Sequence, residues 1–419
     1  MDDLRARGLV YQSTDDDTSD RPLSRLLDGN PVTFYAGFDP TASSLTVGNL
    51  VPVMLLAHIQ RAGHRPIALV GGGTGMVGDP SGKTEMRQLL TAEDVENNAH
   101  AQKKQLDRYL DLDAEPSDDG ERGFMLNNAD WLLNLNYVEF LREVGRHFSI
   151  NRMLAAESVK LRLSDEAGLS FLEFNYSILQ AYDFLVLSRR YGCALQVGGS
   201  DQWGNIVAGI DLIRRAEGRQ AHALTAPLLT TSSGQKMGKT EKGSVWLDPE
   251  RTSPYDFYQF WINSDDRDVI RYLKIFTFLP VGQIASFEGR EGADLRGAKE
   301  LLALEATRLT HGEEEAKKAQ EGARALFGGG KAAAKSDAVP SFVVSAKSLA
   351  EGVPLLQLTV DAGLCDSRNA ARRLARQNGL YVNGEAVAED RVVGEDDLDD
   401  GAILLRAGKK RYMRVVVDG

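Results

Sequence analysis

Two short apolar runs, each leading straight into glycines, constrain this chain more than any other feature. Arg65-Pro-Ile-Ala-Leu-Val70 is followed by Gly71, Gly72 and Gly73, and Cys193-Ala-Leu-Gln-Val197 by Gly198 and Gly199. Continuous apolar character suits strands buried on both faces, the environment of a parallel sheet covered by helices. Helical periodicity lies between the two runs. Phe171, Phe174, Ile178, Tyr182 and Leu185 fall close to one helix face across Phe171–Leu187. The expected fold over residues 1–250 is therefore α/β, a Rossmann-like, doubly wound parallel sheet. Such sheets bind ligands beyond the carboxyl ends of their strands, so the glycines mark a candidate pocket.

Downstream the pattern changes. Residues 251–327 read as an α-helical domain, and the aromatic cluster Tyr255-Asp-Phe-Tyr-Gln-Phe-Trp261 must pack against something. Gly328-Gly-Gly-Lys-Ala-Ala-Ala-Lys335, with Pro340 soon after, reads as a linker over 328–340. Residues 341–419 form a small α+β unit. Its arginines Arg368, Arg372, Arg373 and Arg376 recur at helical spacing. Leu380–Val387 contains Asn383-Gly384, a tight-turn dipeptide. Arg406, Lys409, Lys410, Arg411 and Arg414 make a second basic cluster. With a net charge of -11 and a pI of about 5.2, any nucleic-acid surface must be local. Two cysteines, Cys193 and Cys365, build no disulfide framework and lack metal-ligand spacing. The opening MDDLRARGLV lacks a secretory core, and no apolar run reaches membrane-spanning length. A soluble, cytoplasmic setting with no membrane partner is expected.

Several motifs carry chemistry, and each has a plain alternative. Gly73-x-Gly75-x-x-Gly78 has dinucleotide-fingerprint spacing, but Pro80 stands where a helix should begin and no acid follows at the right distance. Gly78 and Gly82 are separated by three residues where a Walker loop needs four. What remains is steric: backbone there must come close to something, unless the glycines only make a turn. Lys236 and Lys239 could neutralise charge developing on a phosphate, or could simply be solvated. Phe38-Asp-Pro-Thr41 through Leu50 leads into the apolar helix Leu50–Ile59, whose first N–H groups suit an anion. Gly48 would let a flat ring lie against backbone, while Ser44 or Thr46 could be an ordinary cap. Tyr176, Gln180 and Asp183 share a helix face, as a pocket wall or a solvated stripe. Gln196-Val-Gly-Gly-Ser-Asp-Gln-Trp-Gly-Asn205 follows a strand and ends in hydrogen-bonding groups.

The order of these motifs resembles class I aminoacyl-tRNA synthetases, and more closely the bacterial-type tyrosyl-tRNA synthetase family. The resemblance covers nearly the whole chain, because Leu364–Val387 resembles an S4-type RNA-binding module. It implies ATP and L-tyrosine as substrates, tRNA(Tyr) as partner, and magnesium arriving on ATP phosphates without a protein metal cage. It implies that Tyr35 and Asp183 hold the phenolic hydroxyl of tyrosine, that Asp79, Tyr176 and Gln180 hold its ammonium group, and that Gln202 sits near its carboxylate. Gly37, Asp39, Gly199 and Asp201 would contact adenosine and ribose, with Gly48 against adenine. Thr41, Lys83, Arg87, Lys236, Lys239 and Thr240 would gather round the pyrophosphate. The basic face carrying Arg368, Arg372, Arg373 and Arg376 would bind tRNA. Asn127–Leu154 looks like the family's dimer-forming segment, so a homodimer is expected; an internal helical hairpin is the alternative.

One departure stands out. The family has His-x-Gly-His where this chain reads Thr46-Val-Gly-Asn49. Asparagine still offers a donor, whereas threonine is shorter and uncharged. Activity is expected to persist with more weight on Thr41 and the lysine segments. Three rival readings follow: an RNA-binding protein with a vestigial catalytic domain, a dinucleotide oxidoreductase, and the sister tryptophanyl enzyme. Pro80 and the missing acid speak against the oxidoreductase. Tyr35 with Asp183 favours a phenol over an indole.

Overall fold

A computed structural model describes residues 1–14, 22–80, 91–118, 120–164, 168–235, 237–240, 243–327, 339–408 and 411–418. Lys83, Arg87, Lys236, Lys409 and Lys410, and most of the expected linker, lie outside the described residues, as do the side chains of Lys239 and Thr240.

The chain divides into two compact units, Met1–Asp248 with Asp265–Ala298, and Pro249–Ser264 with Lys299–Gly419. The segment 251–327, expected as one helical domain, is thus shared between them.

The first unit is built on a six-stranded sheet. Its strands are β1 (Gln12–Ser13), β2 (Thr33–Phe38), β3 (Arg65–Val70), β4 (Phe124–Asn127), β5 (Leu195–Gly199) and β6 (His222–Ala226), in the order β1-β6-β5-β2-β3-β4. All neighbours are parallel except β1, which runs antiparallel to β6. β3 matches the sequence expectation to the residue. β5 begins two residues later than expected and takes in both glycines. Strand order reverses between β2 and β5, whose pairing aligns Tyr35 with Gln196. A doubly wound sheet binds its ligand at that reversal.

Helix Leu50–Arg61 buries residues on every side, including Val53, Met54, Leu55 and Leu56. The helix expected over Phe171–Leu187 is broken. Ser170 caps a single turn, Phe171–Phe174, and a second helix runs Tyr176–Tyr191. It packs against helix Trp203–Glu217 so closely that a Cβ on Gly209 would lie 3.0 Å from the Phe184 ring. Gly192 and Gly218 end these two helices at φ +63° and +65°, a left-handed cap that other residues adopt at a cost.

In the second unit, helix Pro254–Ile262 buries Tyr255, Phe257, Tyr258 and Trp261. Phe257 meets His311 edge-on at 4.9 Å. The tail forms a five-stranded sheet: Glu385–Ala386, Leu380–Val382, Ala402–Ala407, Arg411–Asp418 and Ser341–Ser345, the last pair parallel. Leu358, Ala371 and Ala375, from helices Leu355–Asp361 and Arg368–Arg376, fill its core with Leu380, Ile403 and Leu405. Asn383 and Gly384 both have positive φ, 51° and 91°, as the expected tight turn requires.

Candidate active site

The carboxyl ends of β2, β3, β4 and β5 converge on a buried polar network. Asp183, on helix Tyr176–Tyr191, accepts from Asn128 Nδ2 at 2.9 Å and Trp131 Nε1 at 2.8 Å. Asn128 Nδ2 also donates to Thr74 Oγ1 at 3.0 Å, and Asn128 Oδ1 accepts from the Gly73 amide at 2.7 Å. Thr74 Oγ1 donates to Asp39 at 2.9 Å, and Tyr176 donates its hydroxyl to the other Asp39 oxygen at 3.0 Å. A chain of side-chain bonds therefore joins Trp131, Asp183, Asn128, Thr74, Asp39 and Tyr176.

Burial pushes the Asp183 carboxyl up to about 7, against the pull of the Asn128 and Trp131 donors. Burial, with the Asp183 charge behind it, raises the Tyr35 phenol well above its ordinary value. The Tyr35 ring packs on Phe184 at 5.3 Å, and its hydroxyl is buried with no partner among the described residues. The Gln196 amide oxygen, in register beside Tyr35, is likewise buried without a partner. At the other end of the network, Tyr176 is raised first by burial and then by Asp39, Asp79 and Asp183. Gln202 donates to Asp79 at 2.7 Å and accepts from Asn205 at 3.3 Å. Gln180 is half-buried on the same helix as Tyr176 and Asp183.

The glycines now have physical reasons. A Cβ on Gly71 would fall 2.0 Å from an Asp39 oxygen, and one on Gly72 would fall 2.1 Å from Asn127 Oδ1. Their backbone approaches pocket side chains, and the short turn Thr74–Met76 follows instead of a long phosphate-binding helix. Gly37 faces open space. A Cβ on Gly199 would strike Asp201 Oδ1 at 2.5 Å.

The second half of the site is assembled from backbone. The Val47 amide donates to the Val245 carbonyl at 3.0 Å, and the Leu247 amide to the Leu45 carbonyl at 2.9 Å. Thr46 bridges to Trp246 between them. Segments some two hundred residues apart are thereby stitched edge to edge. Met237 is buried, its amide donating to Leu229 at 3.0 Å. Gly238, at φ +78°, packs so tightly that a Cβ would lie 2.9 Å from the Gly48 amide. The Met237 carbonyl in turn lies 3.3 Å from where a Gly48 Cβ would stand. The base of the lysine loop is held by Asp268, which accepts from the Ser232 amide at 2.8 Å.

Thr46 and Asn49 form one unit. Asn49 Oδ1 accepts from the Thr46 amide at 2.9 Å and from the Thr46 hydroxyl at 2.8 Å. The Thr46 proton is therefore committed, and the exposed Asn49 keeps its amide N–H donors, which no described residue accepts. Ser44 is not a helix cap. It donates to the Leu45 carbonyl at 2.8 Å and accepts from the Asp248 amide at 3.1 Å. Thr41 is exposed beside this segment.

Sequence reasoning did not single out Thr74, Asn128 or Trp131. Asn128 and Trp131 open the stretch expected to form a subunit contact. The available signal was Asn127-Asn128 at the end of an apolar run, the polar-after-strand pattern already noted at Gly199.

On the tail, Arg368, Arg372, Arg373 and Arg376 are all exposed on one helix. Arg376 makes a two-pronged pair with Glu389 at 3.0 and 3.1 Å, with Arg372 at 3.6 Å from the same carboxylate. Arg368 donates to Gln357. Arg373 has no partner among the described residues. In the second basic cluster, Arg406 lies over the Tyr381 ring at 3.4 Å and Arg411 donates to the Leu364 carbonyl at 2.7 Å.

This fold with this site defines a class I aminoacyl-tRNA synthetase of the tryptophan and tyrosine branch: residues 27–328 match the family of class I tRNA synthetases (W and Y). Residues 332–415 match the SYY-like C-terminal domain of tyrosine–tRNA ligases. The chain is 56% identical over 430 residues to the tyrosine–tRNA ligase of Desulfatibacillum aliphaticivorans, covering 99% of this chain and 97% of that one. It is 51% identical to that of Clostridium beijerinckii, covering 100% and 99%. Among solved structures it resembles a C-terminally truncated mitochondrial tyrosyl-tRNA synthetase of Coccidioides posadasii, with a TM-score of 0.64 and 33% identity over 76% of this chain and 90% of that one. The chain belongs to the tyrosine–tRNA ligase family.

Proposed function

We propose that this chain activates L-tyrosine with MgATP and transfers the tyrosyl group to the 3′ end of tRNA(Tyr). The observation that carries the reading is an unsatisfied hydroxyl deep in the network beside a buried carboxyl. The Tyr35 hydroxyl has no described partner, and Asp183 is a buried carboxyl beside it. A phenol placed there donates to Asp183 and accepts from Tyr35, satisfying both at once. Phenylalanine would leave the Tyr35 hydroxyl unpaired, at a cost of about 1–3 kcal/mol, and would offer Asp183 no donor beyond Asn128 and Trp131. At the opposite end, Asp79 and the Tyr176 hydroxyl make an acidic, hydrogen-bonding wall suited to an ammonium group, with Gln180 on the same helix. Gln202 is assigned to the neighbourhood of the tyrosine carboxylate.

In the first step a tyrosine carboxylate oxygen attacks the α-phosphorus of ATP. The bond from that phosphorus to the bridging oxygen breaks, and pyrophosphate leaves with the electron pair. The carboxylate is already ionised, so no general base is needed. Catalysis is alignment plus stabilisation of charge on the leaving group. Thr41, the Asn49 amide, Lys83, Arg87, Lys236, Lys239 and Thr240 are assigned to that charge. Asp39, Gly37, Gly199 and Asp201 are assigned to the adenosine, with Gly48 toward adenine. Magnesium arrives with the phosphates of ATP, its ligands phosphate oxygens and water. In the second step a hydroxyl of the terminal ribose of tRNA attacks the activated carbonyl and AMP leaves. The exposed arginine face of helix Arg368–Arg376 is assigned to tRNA phosphates, residues 1–250 to catalysis and 341–419 to RNA binding.

Tyrosine-dependent exchange of labelled pyrophosphate into ATP tests the reading. Exchange with tyrosine and not with tryptophan is expected; no exchange by pure protein would leave only the RNA-binding reading. A homodimer is part of the proposal. Leu133, Tyr137, Val138, Leu141, Ile150 and Leu154 all expose large apolar side chains within Asn127–Leu154. Sedimentation giving a concentration-independent monomer would remove it. Among the described residues no helix is long and apolar enough to cross a membrane, and a cytoplasmic site of action is proposed.

A further inference from the structure

Helix Ala92–Leu106 takes no part in the chemistry assigned above, yet one of its faces grips the nucleotide end of the site. Asn98, Gln102 and Gln105 stand four and three residues apart and so share that face. Asn98 Nδ2 donates to the Pro40 carbonyl at 2.9 Å, and Gln102 Nε2 to the Ala42 carbonyl at 3.0 Å. Gln105 Oε1 accepts from the Leu45 amide at 2.8 Å, and its Nε2 donates to Ser44 Oγ at 3.2 Å. The stretch they hold lies between β2 and the turn at Val47–Asn49 and forms neither helix nor strand. Its main-chain groups need partners, and they find them in side chains about sixty residues away. On the other side, the Asp248 amide donates to Ser44 Oγ at 3.1 Å and the Leu247 amide to the Leu45 carbonyl at 2.9 Å. Ser44 thus ties the helix to the strap that returns from the lysine loop. Gln102 is 3% exposed, and its Oε1 has no partner among the described residues. A buried amide kept in place with one end unpaired is better accounted for by what its other end holds than by packing.

We propose that Asn98, Gln102 and Gln105 are positioning residues for adenylate formation, fixing Pro40–Leu45 so that Thr41 and the Thr46–Asn49 pair face the leaving phosphates. The inference rests on the placement of those groups in the proposed function. None of the three amides reaches the reacting atoms. Each acts through the loop, where a displacement of about 1 Å is enough to cost rate.

Steady-state pyrophosphate exchange and equilibrium binding of tyrosine, on full-length variants, test it. Gln102→Met keeps the volume and removes the donor. It should lower kcat/KM for ATP about tenfold, leaving the tyrosine Kd unchanged. Gln105→Met should do the same. Gln105→Glu keeps the acceptor for the Leu45 amide and should recover most of the loss. Adding Thr41→Ala to Gln102→Met should cost less than the product of the two single losses, because both act on one contact. Should Gln102→Met not fold, Asn98→Ala at a half-buried position repeats the comparison. Wild-type ATP kinetics in both methionine variants, or parallel losses in tyrosine affinity and ATP kinetics, would overturn the proposal. An inactive wild-type protein would instead overturn the enzyme reading beneath it.

Discussion

The ends of this site proposed for tyrosine and for phosphate are built by opposite means. Around Asp183 the work is done by buried side chains, linked donor to acceptor from Trp131 through Asn128 and Thr74 to Asp39 and Tyr176. Around Thr46 it is done by backbone, with β-type bonds from Leu45–Val47 to Val245–Leu247 and a glycine pressed against a glycine. A buried network holds its members in one arrangement and penalises any ligand that leaves a member unpaired. A backbone frame fixes where a loop runs, and leaves exposed side chains free to follow charge as it moves. The first arrangement suits choosing a substrate, the second suits stabilising a transition state.

If that division is correct, the largest loss comes from the centre of the side-chain network. Asp183→Ala removes the proposed partner of the phenol and leaves Trp131 Nε1 and one Asn128 bond unmatched. About 3–4 kcal/mol is expected for losing the bond to the phenol and leaving buried donors unpaired. That corresponds to a fall of about two to three orders of magnitude in kcat/KM for tyrosine, measured by pyrophosphate exchange. Asn128→Ala should follow the same pattern at smaller size. An effect confined to ATP kinetics in either variant would erase the distinction between the two ends.

The next effect is pH dependence. Burial raises Asp183 to about 7, whereas a carboxyl in the unfolded chain titrates near about 4. Between those values the folded protein holds a proton that the unfolded chain has released. The stability Asp183 contributes is thus fully present below the unfolded value and lost as pH rises through about 7. The Tm of the unliganded protein, compared with Asp183→Asn, should fall between about pH 4 and 7 and level off above that. Bound tyrosine should flatten the fall, since a phenol donor stabilises the ionised carboxylate. A Tm difference unchanged across that range would mean Asp183 is ionised throughout, and that the network is wetter than its burial implies.

A smaller effect sharpens the phosphate end. The Thr46 hydroxyl already donates to Asn49, so Asn49 supplies the outward donors. Asn49→Ala should slow single-turnover adenylation about tenfold, the scale of one lost charge-assisted bond. Thr46→Ala should slow it only about threefold, through a less restrained Asn49. The reverse order would show that the pair reorganises when ATP binds.

The two ends also differed in how far they could be read from sequence. Strand β3 was legible to the residue because a buried parallel strand leaves an unbroken apolar run ending at its glycines. Tyr176, Gln180 and Asp183 were legible because helical spacing puts them on one face. The break at Asn175 was not, since the apolar periodicity runs through it; the Ser170–Glu173 cap only starts the turn ahead of it, and the Asn175 side chain turns back to the Phe171 carbonyl. Asn128 and Trp131 lay hidden at the head of an apolar stretch. The stitching of Leu45–Val47 to Val245–Leu247 has no sequence signature at all, because main-chain bonds are indifferent to side chains. The same holds for the split of 251–327 between two compact units, which depends on packing between distant segments.

The smallest expected effect tests whether the tail follows the logic of the phosphate end. Its arginines are exposed on a rigid helix, but they are not equivalent. Arg376 is already paired in two-pronged fashion with Glu389, while Arg373 has no described partner. A phosphate meeting Arg376 must displace a carboxylate; one meeting Arg373 need only displace water and counterions. Arg373→Ala should therefore reduce the salt dependence of tRNA binding by about one unit in the slope of log K against log salt. Arg376→Ala should reduce it by less, and neither should alter pyrophosphate exchange. Equal slopes for the two variants would show that Glu389 swings clear when RNA binds. A loss of exchange in either would show that the tail reaches into the adenylation step and is no separate RNA-binding surface.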